Sequence, residues 1–186
     1  MIENFFMPPL SRPILFGALL LSALSHPALA ADLISSNDWP MADAQAQIVG
    51  MIGTGRVYDL TIDHDSITLS VDHAIDPRQL SQYVWDASGV RPTMDIPNTF
   101  RLGVSDTEPF ALNDLDFAAV PAVKAAALAA FNAQGAAITE IEATRPTVGD
   151  SKVTVALWTV HINDIQGNSG EVLVTTQGDV LHTTLP

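Results

Sequence analysis

The 186-residue chain contains no cysteine. That removes disulfides, thiolate metal sites and cysteine nucleophiles together. Cationic residues are scarce, 8 Lys and Arg against 21 Asp and Glu, for a formal charge of -13. Phosphate binding needs clustered Lys and Arg, so nucleic acid and anionic membrane surfaces are excluded as partners. No apolar run is long enough to span a bilayer: Ile14 to Leu24 is 11 residues, against the roughly 20 a spanning helix requires. Signatures of several chemistries are also missing. There is no Gly-x-Ser-x-Gly elbow and no His-x-x-x-His or His-Glu-x-x-His pair. Gly50, Gly53 and Gly55 end a helix rather than open one, so no phosphate loop forms.

What is present begins with a leader. Arg12 precedes the run Ile14 to Leu24, Pro27 follows, and Ala28-Leu29-Ala30 has the small-x-small pattern of a cleavage site. Residues 1–30 therefore read as a signal peptide cut after Ala30, which places the mature chain in the periplasm or outside the cell. The leader's side chains are net neutral, so the mature chain keeps the whole charge of -13. At 47% hydrophobic residues the chain is too apolar for a disordered acidic tail.

The expected fold class is α+β, two helix-on-antiparallel-sheet units after the leader, over residues 31–111 and 112–186. Residues 31–37 read as a short mobile lead-in. Asp38 and Pro40 then announce a helix, with Ala44, Ile48, Met51 and Ile52 at helical spacing and Gly53 as its stop. A hairpin follows, because Tyr58, Leu60 and Ile62, then Ile67, Leu69 and Val71, alternate with polar residues around Asp63-His64-Asp65. Residues 75–92 admit either a helix to Ala87 or a strand Gln82 to Asp86, and Tyr, Val and Trp in sequence favour the strand. Residues 92–116 look like a linker holding one strand at Phe100 to Val104.

The second half starts with a helix over Val120 to Ala133, with Pro121 in its first turn and Gly135 at its end. Val120, Val123, Ala127, Leu128 and Phe131 form its core stripe. Strands are expected at 137–143, 151–162, 172–175 and 180–183, the last two joined by Gln177-Gly178-Asp179. Each half buries one sheet face under one helix, and pairing the halves offers a larger shared core.

The second half resembles the PepSY domain, over residues 118–185. The likeness rests on the helix, Trp158-Thr159-Val160-His161-Ile162, and the closing segment Glu171-Val172-Leu173-Val174-Thr175-Thr176-Gln177-Gly178-Asp179-Val180-Leu181. Thr175 or Thr176 stands near a position usually held by Asp, and Gln177-Gly178 replaces the common Thr-Gly. The first half follows the pattern in outline only, as a diverged copy. The resemblance implies a small extracytoplasmic module that binds or inhibits proteins, with no catalytic residues to carry over.

Side chains with chemical potential are few. His64 and His73 lie about nine residues apart at opposite ends of one strand, too far to share an ion, and read as solvated turn residues. The loop Asn163 to Glu171 lacks the EF-hand order and reads as a plain hairpin loop. Glu140 and Glu142 read as an exposed acidic sheet face. Tyr83 and Trp85 share a strand face, a partner-binding patch if exposed and core if not. The expected function is a non-enzymatic binding or inhibitory module without metal or cofactor, taking a protein or extended peptide of basic character. The alternatives are a hydrolase using a carboxylate with His64 or His161, and a small-molecule carrier with an apolar cavity.

Overall fold

The computed structural model describes residues 32–36, 41–53, 55–99, 101–103, 108–145, 147–148, 151–152 and 155–184. The leader, Asp38, Trp39 and Pro40 lie outside them.

Period-two patterning builds the strands of one large antiparallel sheet. The first helix, α1, covers Met41–Ile52 and buries Met41, Ala44 and Ile48. Gly53 ends it with φ 72°, its amide bonded to the Val49 carbonyl at 2.8 Å. Strands β1 (Arg56–Ile62), β2 (Ile67–Asp72), β3 (Gln79–Asp86) and β4 (Gly89–Pro97) then form an antiparallel meander. A short β5 (Phe110–Ala111) pairs with the start of β1. Helical turns at Leu112–Asp114 and Phe117–Ala119 lead into α2 (Val120–Phe131). Strands β6 (Ala137–Thr144), β9 (Leu157–Asn163), β10 (Ser169–Thr175) and β11 (Val180–Thr184) make a second meander, interrupted by the small hairpin of β7 (Thr147–Val148) and β8 (Ser151–Lys152).

The two meanders join through their first strands, β1 beside β6, giving the order β11-β10-β9-β6-β1-β2-β3-β4. The class is α+β, with two α-helices among the described residues packed on one antiparallel sheet. One apolar row crosses seven strands in register: Val172, Val160, Ile141, Ile62, Ile67, Trp85 and Val90. Residues of both helices pack with this face in a single cluster, alongside the edge-to-face pair of Phe117 and Trp158. The opposite face carries Thr61, Thr68, Glu142 and Thr159 in its equivalent row.

Several expectations need correction. The lead-in is packed: Leu33 and Ile34 are buried, the Leu33 amide donates to the His64 carbonyl at 2.6 Å, and the Lys124 ammonium donates to the Ser36 carbonyl at 2.8 Å. Met51 is exposed, because the core stripe of α1 runs through Met41, Ala44 and Ile48 instead. Strand β3 starts at Gln79 and β4 continues to Pro97, so much of the supposed linker is sheet; Pro92 and Pro97 are accommodated because β4 is an edge. Residues 101–103 form a turn rather than a strand, and 100 and 104 lie outside the described residues. Helix α2 stops at Phe131, with Asn132 in the left-handed conformation at φ 47°, three residues before Gly135. The expected strand 151–162 is broken: Val155 is exposed in a bend, and β9 begins at Leu157.

Candidate functional site

The side chains with most chemical potential converge on the polar face of the second meander. Period-two alternation puts Glu140 and Glu142 on one face of β6, and would put Ile138 there with them. A bulge at Thr139 changes this, because the pairing passes from Ile138 opposite Ile162 to Glu140 opposite His161. The extra residue puts Ile138, Ile141 and Ala143 in the core and leaves both glutamates on the open face. On the other side of β9, Glu171 of β10 also lies opposite His161. The imidazole thus sits in a row between two carboxylates, with a third from Glu142.

The distances are short. His161 Nε2 lies 3.6 Å from Glu142 Oε2, and Nδ1 lies 3.6 Å from Glu171 Oε1. One ligand atom each from Glu140, Glu142 and His161 fall within 4.8 Å of one another. His161 Nε2 is shielded from solvent and has no hydrogen-bond partner among the described residues. Desolvation raises the Glu140 pKa, followed by a hydrogen bond with Glu142 and the charges of Glu142 and Asp63, with His161 opposing. A shallow open concavity of about 550 Å³ lies over this row, bordered also by Asn163, Ser169 and Thr184.

The other singled-out residues do not join the cluster. Tyr83 and Trp85 share a face, and it is the helix side. Trp85 is 7% exposed and its indole N–H donates to Gln47 Oε1 of α1 at 3.1 Å. Tyr83 is half-buried against the same core. The pair therefore packs the first meander and does not form an open patch. His64 Nδ1 lies 2.9 Å from Asp32 Oδ1, and that contact anchors the lead-in. His73 Nδ1 accepts the amides of Ile75 and Asp76, so it shapes a turn. In the loop after β9, the Asp164 carboxylate accepts from the Gln166 and Asn168 amides and the Asn168 side chain. Those bonds occupy oxygens that a calcium site would need free.

The sequence shows Glu140 and Glu142 as a shared acidic face and His161 as a candidate partner of a carboxylate, but not that the three meet. Their meeting depends on β6 pairing with β9 across an inserted hairpin. Among the described residues no helix is long and apolar enough to cross a membrane. Comparisons with family models, with curated proteins and with solved structures find no match for this chain.

Proposed function

We propose that this protein is an exported, non-enzymatic module of the periplasm that binds protein by adding an extended segment to the β11 edge of its sheet. The open edge carries the reading. Among the described residues no strand pairs with the outer side of β11. Val180 to Thr184 contains no proline and no Lys, Arg, Asp or Glu, and Val180 and Leu181 are 40% and 55% exposed. The β4 edge is guarded instead, by Pro92, Pro97, Arg91 and Asp95, residues that discourage strand pairing. Main-chain hydrogen bonds would supply affinity, and alternate side chains of β11 would supply selectivity. The charge of -13 favours a basic partner and steers its approach.

The chain order supports a tandem PepSY-like architecture. Each half runs as one helix followed by a four-strand antiparallel meander, and the halves meet first strand to first strand. A duplication fits this arrangement, with the β7–β8 hairpin as an insertion in the second copy.

A hydrolase is the second reading, favoured by the convergence of two glutamates on His161. It ranks lower because Glu140 and His161 line an open concavity that does not exclude water, and Glu142 stands outside its lining. The carrier reading has less support, since Glu140, His161, Asn163, Ser169, Glu171 and Thr184 give this concavity a mainly polar lining.

The test is amide hydrogen exchange of the purified protein with a set of extended Lys-rich and Arg-rich peptides at low salt. New protection is expected along β11, and Leu181→Pro abolishes it while leaving the core amides protected. Binding that leaves β11 unprotected, or no binding to any such peptide, would overturn the proposal.

A further inference from the structure

We propose that Glu140, Glu142 and His161 form a binding site for a divalent transition-metal ion of the zinc class, with Glu171 orienting the histidine. The site does not depend on the β11 edge. Its donor atoms already lie within 4.8 Å of one another, so small side-chain rotations bring them to the roughly 2 Å metal–ligand distances of zinc.

A second observation separates this group from an ordinary acidic patch. His161 Nε2 is shielded from solvent, makes no hydrogen bond among the described residues and faces Glu142 Oε2. A buried ring nitrogen without a partner is costly, and a bound cation would supply the partner. The other ring nitrogen, Nδ1, lies 3.6 Å from Glu171 Oε1. A carboxylate behind a metal-ligating histidine fixes the ring's orientation and tautomer. The backbone holds the arrangement, because Glu140 and Glu171 pair with His161 on adjacent strands.

The donor set selects the ion. One imidazole with two carboxylates suits zinc and neighbouring transition metals, whereas calcium and magnesium prefer all-oxygen shells. Two carboxylate charges balance a divalent cation. Three protein ligands, two of them (Glu140 and His161) lining an open concavity, leave a coordination position for water or a partner's group.

The experiment is calorimetric titration of the purified metal-free protein with zinc chloride, with magnesium and calcium chloride in parallel. One equivalent of zinc is expected to bind. Glu142→Gln and His161→Asn should each weaken it at least about tenfold, and Glu171→Gln should weaken it by roughly 10–100-fold. His64→Asn, at the separate pair with Asp32, should leave it unchanged. Glu140→Gln should also weaken zinc binding, and circular dichroism spectra of the metal-free variants that match the parent protein separate loss of the site from loss of the fold. Absence of stoichiometric zinc binding would overturn the site, as would full affinity in His161→Asn or equal affinity for calcium.

Discussion

Replacing Glu140 by Gln keeps the shape of the side chain and removes one charge from a crowded face. Donor atoms of Glu140, Glu142 and His161 lie within 4.8 Å of one another. Two like charges at that distance repel by about 1 kcal/mol in a water-like dielectric. That is the appropriate limit here, since the Glu142 side chain is 38% exposed and solvent screens it. The sign follows from the direction of the Glu140 shift, upward from its ordinary value of 4.5. A carboxyl whose pKa is higher folded than unfolded contributes stability at low pH. That stability is lost as pH rises through the folded pKa. Ionised Glu140 is therefore a cost at neutral pH, reduced in part by His161, and Gln removes it. In thermal melts followed by circular dichroism with a chelator present, Glu140→Gln should raise Tm by about 2–4 °C at pH 7.5. At pH 3.5, where Glu140 is protonated, the two proteins should melt together. A lower Tm for the variant at pH 7.5, or an equal gain at both pH values, would refute the electrostatic account of this face.

Other perturbations probe the packing. A Cβ at Gly170 would stand 2.4 Å from the Thr184 carbonyl oxygen and 2.6 Å from Phe131 Cε2, so Gly170→Ala should cost about 1–3 kcal/mol in denaturant unfolding. Trp158 is fully buried and edge-on to Phe117, with ring centroids 6.2 Å apart; Trp158→Ala should cost about 3–5 kcal/mol in the same assay. Asp32 has a lowered pKa, chiefly through its hydrogen bond from the Ser35 hydroxyl and then that from His64. Its contribution is present above the unfolded carboxylate pKa and fades as pH falls below it. Asp32→Asn should therefore lower Tm at pH 7 and speed amide exchange at Leu33, with the Tm difference shrinking below about pH 4.

Local pattern accounts for much of this protein. Alternation in β1 and β2 marks the first hairpin, and the Gln177-Gly178-Asp179 turn marks the last, with Gly178 at φ 97°. The apolar stripe of α2 gives its buried face, including Val120, Val123 and Ala127. These features are legible because side-chain period and turn chemistry are properties of neighbouring residues. Lys124 shows where that logic stops. It lies on the buried side of α2 because its ammonium reaches the Ser36 carbonyl, 88 residues earlier, and desolvation lowers its pKa while Asp32 opposes.

Composition and spacing alone determined the absence of thiol chemistry, the acidic charge, and the α+β alternation of helices with antiparallel strands. The tertiary structure decided which strands became edges, how the lead-in is anchored, and which polar residues meet. Glu140, Glu142, His161 and Glu171 come from three strands and share one face through the register of β6 and β10 against β9. A sequence carries no record of register between distant strands, and a one-residue slip would send those side chains to the opposite face.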